Sequence, residues 1–293
     1  MPISVSPVPA LADNYIWVID DGREAVVVDP GEAPPVVAHL RRRGLKLSAV
    51  LLTHHHYDHV GGVEALISEQ AFYSGSGVPP VYGPAGSGIA TVTSTVGEGM
   101  VIRAARGGSM AFSVLEVPGH TLDHVVYLAH PLQGGDPARL FCGDTLFSCG
   151  CGRVFEGTHE QMVASLAKLR SLPPQTLVYP AHEYTLLNIL FALQADVGNE
   201  ALALWADEAA RLRHEGFATL PTTIGKESAV NPFLRLDDAD VKVRARQSFG
   251  AAGEDPVSVF AALRMARNVF KPSAMPQGTA IAAGRTKADS QER

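Results

Sequence analysis

The sequence predicts an α/β protein of layered, mixed sheets followed by a mostly helical region. Three observations lead there. Up to about residue 182, short apolar runs punctuated by Gly, Pro and Asp alternate with stretches of helical spacing. Several of those runs are continuous, as in strands covered on both faces. After about residue 182 long helical spacings take over, broken by single glycines.

The elements follow in order. Ile16–Ile19 and Ala25–Val28, the second running into Asp29-Pro30-Gly31, read as a hairpin pair ending in a turn. Ala33–Arg43 has helical spacing with Gly44 as its stop. Ala49–Thr53 is a continuous apolar run, and Phe112–Val117, Val125–Leu128, Leu140–Cys142 and Thr176–Tyr179 are of the same kind. Leu186–Val197, Asn199–Glu215 and Pro256–Val269 read as helices, with breaks at Gly198 and Gly216, and this part looks like a separate helical cap. From Pro272 to Arg293 the chain is polar, rich in small residues and aperiodic, the texture of a disordered tail. The expected division is 1–182, 183–271 and the tail 272–293.

Composition narrows the function. The 293 residues are 46% hydrophobic, ordinary for a packed globular chain and unlike a disordered or collagen-like one. The 24 Lys+Arg against 30 Asp+Glu leave a net charge of -6, with no basic footprint for nucleic acid. No run of apolar residues is long enough for a transmembrane helix. The start, MPISVSPVPALADNYIW, lacks the basic and apolar regions of a signal peptide. Three cysteines, Cys142, Cys149 and Cys151, do not suggest a disulfide framework, and a reducing cytoplasm is the expected home.

The decisive segment is Thr53-His54-His55-His56-Tyr57-Asp58-His59, placed directly after a buried strand and before Gly61-Gly62. Imidazole and carboxylate are donors that suit zinc and similar divalent ions. In an extended segment His54, His56 and Asp58 point one way and His55 and Tyr57 the other. His54 and His56 could then share one ion. Asp58 and His59, where the chain must turn, could reach a second, and His55 is left with a supporting role. Three further candidates, His120, Asp144 and His182, each stand just beyond a predicted strand, so that strand ends on one edge of a sheet converge.

His-x-His-x-Asp-His at 54–59, Gly-His-Thr at 119–121, Gly-Asp at 143–144 and the late His182 together resemble the metallo-β-lactamase superfamily. Leu11–Tyr15, Val28–Gly31, Thr53–Gly62, Phe141–Phe147, Gly150–Thr158, His182–Thr185 and Asn231-Pro232-Phe233-Leu234-Arg235 are similar to a narrower family, glyoxalase II or hydroxyacylglutathione hydrolase. The resemblance runs from about residue 2 to Lys271. It implies a four-layer αββα sandwich with a C-terminal helical cap. It implies two divalent ions, zinc first with iron and manganese as alternatives. His54, His56 and His120 would hold the first ion, Asp58, His59 and His182 the second, with Asp144 bridging.

The implied reaction is hydrolysis of S-(2-hydroxyacyl)glutathione, S-D-lactoylglutathione above all, to glutathione and D-lactate in methylglyoxal detoxification. A metal-bridging hydroxide held by Asp144 attacks the thioester, and Asp58 acts as ligand and orienter. Arg153, Phe155, Tyr184, Arg264 and Arg267 would bind the glutathione. The family often carries Lys where this chain has Arg153 and Arg267, and Tyr where it has Phe155. The partner expected is this small molecule, neither nucleic acid nor membrane, and the chain is expected to be a monomer. The alternatives are other enzymes of the superfamily, such as a mononuclear-iron persulfide dioxygenase or a different thioester or lactone hydrolase.

Overall fold

A computed structural model describes residues 3–69, 72, 77–105, 108, 110–130 and 136–272. The tail expected from the sequence lies, from residue 273 onward, outside the described residues. The chain opens with β1 (Ser4–Ala10), β2 (Asn14–Asp20), β3 (Glu24–Val28), α1 (Ala33–Arg43), β4 (Lys46–Leu51), the single turn α2 (Tyr57–Val60) and α3 (Val63–Ser68). It continues through β5 (Val81–Pro84), β6 (Ser94–Val96), β7 (Val101–Ala104), β8 (Met110–Glu116), β9 (Val125–Ala129) and β10 (Arg139–Gly143). A small hairpin, β11 (Leu146–Phe147) and β12 (Gly150–Cys151), precedes α4 (His159–Arg170) and β13 (Leu177–Pro180). The rest is helical apart from β14 (Thr222–Thr223): α5 (Thr185–Ala195), α6 (Glu200–His214), α7 (Ile224–Val230), α8 (Ala239–Phe249) and α9 (Pro256–Val269).

Two six-stranded sheets, in the orders β1-β2-β3-β4-β5-β6 and β14-β13-β10-β9-β8-β7, face each other. The alternation of strand side chains builds the layers. Tyr15, Trp17, Ile19, Val26 and Val28 point inward with Phe112, Val114, Tyr127, Phe141 and Tyr179 of the second sheet. Their neighbours Ile16, Val18, Ala25 and Val27 point outward, under Val36 and Leu40 of α1 and Val63 and Leu66 of α3. On the other side, Val126, Leu140, Cys142 and Val178 pack under Met162, Leu166 and Leu169 of α4 and under Phe191, Phe233, Phe260 and Leu263. The result is helix, sheet, sheet, helix, and the C-terminal helices share one apolar cluster with the second sheet.

Parallel pairing of β3, β4, β5 and β6, and of β10 with β13, accounts for the continuous apolar runs Ala49–Thr53, Leu140–Cys142 and Thr176–Tyr179, whereas Val125–Leu128 lies in β9, antiparallel to both its neighbours. Phe112–Val117 departs from that expectation. Its strand β8 alternates buried and half-buried positions, because its outer face is only partly covered. Helix starts are made by side chains that accept backbone N–H groups: Thr158, Asn199, Thr223, Asp238 and Asp255 all cap in this way. Gly44 ends α1 in the left-handed conformation that glycine adopts without strain. No described helix is long and apolar enough to cross a membrane.

Candidate metal centre

The loops after β4, β8, β10 and β13 meet at one edge of the sandwich. There the structure brings together all seven ligand candidates. His54, His56 and His120 offer ring nitrogens to one point, and Asp58, His59 and His182 surround another. Asp144 stands between. Its Oδ2 is 3.4 Å from His120 Nε2, and its Oδ1 is 3.4 Å from His59 Nε2 and 3.3 Å from His182 Nε2. Asp58 Oδ2 lies 3.4 Å from both His59 Nε2 and His182 Nε2.

One expectation needs correction. The segment is not extended as far as Asp58. β4 ends at Leu51, His56 immediately precedes α2, and Asp58 and His59 are residues of that helical turn. The turn carries both side chains to the second point, which strict alternation would not do. Gly31 permits the close approach, since a Cβ there would overlap the Asp58 carbonyl oxygen.

The hydrogen bonds behind the cluster settle the tautomers. His120 Nδ1 donates to the Arg153 carbonyl at 2.8 Å, His59 Nδ1 to Asp29 Oδ2 at 3.0 Å, and His182 Nδ1 to Asp13 Oδ1 at 2.8 Å. Thr53 Oγ1 donates to Asp29 Oδ2 at 2.7 Å, so it accepts from His54 Nδ1 at 3.0 Å. Each of these four rings therefore turns its Nε2 into the site, where the neutral ring offers a lone pair. His54 Nε2 and His120 Nε2 both lie 3.0 Å from His56 Nδ1, where one N–H at most can stand among three nitrogens. His59 Nε2 and Asp144 Oδ1 are buried without a hydrogen-bond partner. Converging lone pairs of this kind fit a divalent cation at each point.

Charge agrees with that fit. Burial lowers the pKa of His54, His56 and His120, keeping those imidazoles in the neutral, ligating form. Burial would lower His59 as well, but the Asp144 and Asp29 carboxylates outweigh it and push it up to about 10. His182 is raised in the same way, against burial, chiefly by Asp144 and Asp13. Burial would raise Asp58 and Asp144, but His182 and His59 hold both below the usual carboxylate range. The second point is thus rich enough in carboxylate to draw positive charge onto its own imidazoles.

Several supporting residues escaped the sequence reading. Asp29 accepts from Thr53 N at 2.8 Å as well as from Thr53 Oγ1 and His59. Asn14 Nδ2 donates to Asp58 Oδ2 at 3.1 Å. The buried His124 accepts from Asp144 N at 3.1 Å and stacks on His54 at 4.7 Å. Asp13, Asn14 and Asp29 lie in stretches already singled out by resemblance, but nothing in their spacing marks them as partners of a histidine.

A cavity of about 430 Å³ opens beside His120 and Asp144, and all five expected substrate residues line it. Gly152 lies against Asp144, and a Cβ there would overlap the Asp144 carbonyl oxygen. Phe155, 60% exposed at the mouth, packs its ring edge-on to His56 and His120. Tyr184 stacks on His182 at 4.7 Å, and burial pushes its hydroxyl up to about 12. Arg267 donates to Asn188 Oδ1 at 3.2 Å. Burial, then the charges of Arg264 and Arg153, brings Arg267 down to about 10. Arg264 is more deeply set, with Nη1 donating to the Cys151 carbonyl at 2.8 Å, so it also holds the loop that forms the wall. Cys149 and Cys151 are buried thiols raised by that burial, which makes them poor nucleophiles.

The helical region shapes the same wall. Asn231 Nδ2 donates to the Phe147 and Gly150 carbonyls at 3.1 and 2.9 Å. Buried Glu227 accepts from Cys149 N at 2.8 Å.

Comparison with known proteins agrees with this geometry. Residues 11–182 match the family model of the metallo-beta-lactamase superfamily, and residues 183–270 that of the hydroxyacylglutathione hydrolase C-terminus. A hydroxyacylglutathione hydrolase of Cupriavidus metallidurans is 47% identical over 92% of this chain and 100% of its own length. One from Vibrio cholerae is also 47% identical, with the same coverage of both chains. The crystal structure of ETHE1 from Myxococcus xanthus has a TM-score of 0.58 at 26% identity, covering 91% of this chain and 98% of that one. A metallo-beta-lactamase of Staphylococcus aureus, at TM-score 0.56 and 18% identity over 93% of this chain and 75% of that one, shares the fold. The chain belongs to the hydroxyacylglutathione hydrolase family of the metallo-beta-lactamase superfamily.

Proposed function

We propose that this chain hydrolyses S-(2-hydroxyacyl)glutathione, typified by S-D-lactoylglutathione, to glutathione and a 2-hydroxy acid. The observation that carries the reading is the junction of two environments. The wall of the 430 Å³ cavity holds three guanidinium groups, Arg153, Arg264 and Arg267, and its inner end holds His120 and Asp144 of the ligand cluster. An anionic tripeptide with two carboxylates fits the first, and a scissile thioester fits the second. The names of the relatives support the same substrate.

Held by His54, His56 and His120 on one side and Asp58, His59 and His182 on the other, with Asp144 shared, two divalent cations would supply a water ionised at neutral pH and a Lewis acid for the carbonyl. Zinc suits this donor set, as do iron and manganese. The residues around them do the positioning. Asp29, Thr53, Asp13 and the Arg153 carbonyl fix the ring orientations, and Asn14 steadies Asp58. Arg153, Arg267 and Tyr184 orient the glutathione. A water oxygen bonds to the carbonyl carbon, the C–S bond breaks, and the sulfur leaves as thiolate. A thiolate is a good leaving group, so no general acid is required of the chain.

In this reading residues 1–182 furnish the metal centre and 183–271 furnish Tyr184, Arg264 and Arg267, in a monomeric cytoplasmic enzyme. The test is hydrolysis of S-D-lactoylglutathione with metal content measured on the same sample. Efficient turnover with about two ions per chain supports the reading, and preference for a small thioester without glutathione overturns it.

A further inference from the structure

His55 is the one histidine of the 54–59 cluster that belongs to neither ligand group of the metal centre. It has its own partners. Its Nδ1 sits 3.1 Å from both carboxylate oxygens of Asp123, and its Nε2 sits 3.3 Å from Glu156 Oε1. The three side chains come close enough together to suggest another cation site. The ring geometry argues against one. Asp123 lies against Nδ1 and Glu156 against Nε2, the two opposite edges of the ring, so an ion on either nitrogen would have to draw the other carboxylate away from its present contact. An imidazole with a carboxylate at each end is a tie between two segments.

The segments are those that build the substrate cavity. Asp123 follows His120 in the loop after β8. Glu156 follows Phe155 in the loop after β12, the one that carries Arg153. Glu156 Oε2 accepts from Leu122 N at 3.0 Å. Phe155 N donates to the His120 carbonyl at 3.2 Å, and Gly157 N donates to the Gly119 carbonyl at 3.2 Å. Arg153 and Phe155 themselves are exposed at the mouth, held by the Arg153 carbonyl on His120 Nδ1 and by the Phe155 ring against His56 and His120. The Glu156 contacts add a further hold at the loop's outer end.

We infer that His55 is a positioning residue for substrate recognition: through Glu156 and Asp123 it clasps the Arg153–Gly157 loop to the metal-binding loop. This rests on the proposed thioesterase reading for its kinetic consequence, but the clasp itself has a readout that needs no substrate. His55→Ala removes both contacts. Glu156→Gln weakens one and keeps an oxygen for Leu122 N.

The experiment measures three properties of wild type, both single variants and the double variant. Mass spectrometry follows tryptic cleavage after Arg153 without substrate. Metal per chain is measured by plasma mass spectrometry. KM and kcat are determined on S-D-lactoylglutathione. Two partly exposed pairs lost together should speed cleavage and raise KM about 2- to 10-fold. Metal content should match wild type, and kcat should stay within about twofold, since the clasp touches no reacting atom. The double variant should add nothing to His55→Ala, because both changes open the same clasp. Unchanged cleavage in both single variants overturns the inference. So does loss of metal in His55→Ala, or a third ion in wild type that this variant lacks. If wild type does not hydrolyse the glutathione thioester, the functional reading fails and the cleavage rates alone decide the clasp.

Discussion

Asp29→Asn is the substitution that best separates the architecture behind the metal centre from the ligands themselves. Asp29 is buried, touches neither candidate metal point, and accepts three hydrogen bonds: Thr53 N, Thr53 Oγ1 and His59 Nδ1. Its backbone φ of 52° lies in the left-handed region, which Asn tolerates well, so the change preserves backbone and shape. The amide has a single acceptor oxygen. If that oxygen keeps Thr53 N, the NH2 group faces the Thr53 hydroxyl and His59 N–H, donor against donors. A lost bond to a charged group is worth about 1.5–3 kcal/mol. Two such losses, partly relieved by rotation of the Thr53 hydroxyl, give about 2–4 kcal/mol, or roughly 3–7 °C in melting temperature for a chain of this size. His59 also loses the group that fixes its tautomer, and supporting partners of metal-binding histidines are worth about 10- to 100-fold in affinity. Zinc competition against a chelator, with thermal unfolding of the same sample, measures both. Wild-type affinity for both ions with an unchanged melting temperature would refute the assigned role of Asp29.

Other consequences follow from particular contacts. Arg267→Ala should raise KM for S-D-lactoylglutathione about 10- to 150-fold with kcat nearly intact, because a charged hydrogen bond is lost equally from ground and transition states. Steady-state kinetics would expose the error if kcat fell instead. Arg264→Ala should lower kcat as well, since Arg264 Nη1 holds the Cys151 carbonyl beside Gly152 and Asp144; a pure KM effect there would contradict the loop role. Cys142, Cys149 and Cys151 are buried and their thiols are raised by burial. Iodoacetamide at neutral pH should therefore neither label them nor inactivate the native protein. Labelling that abolishes activity would bring a cysteine into the chemistry.

The ligand cluster was legible because four histidines and an aspartate crowd into residues 54–59, a pattern that survives without any three-dimensional information. His120, Asp144 and His182 were legible because each follows an apolar run, and strand ends on one edge converge. Their supports were not legible. Asp29 meets Thr53 across 24 positions and Asp13 meets His182 across 169, and a lone acidic residue beside a strand reads as a turn residue. Asp58 lies beside His59 and His182 through a local geometry that the sequence reading does not give. Alternation assumes a strand, whereas the turn Tyr57–Val60 is helical. α8 is hard to read from sequence because only Val241 and Ala245 of it are buried, whereas α4 has the helical spacing Met162, Leu166 and Leu169 and was open to a reading by periodicity. The Asn231–Arg235 run was singled out by resemblance alone, and only the structure supplies its physical reason, the Asn231 amide holding Phe147 and Gly150.

The central claim is a pair of cations bridged by Asp144. Diffraction from crystals of the zinc-loaded protein, collected at the zinc absorption edge, tests it most directly. Two anomalous peaks about 3.5–4 Å apart are predicted, one among His54 Nε2, His56 Nδ1 and His120 Nε2, the other among Asp58, His59 and His182, with Asp144 between them. A single peak, or a pair that Asp144 does not bridge, would contradict the account.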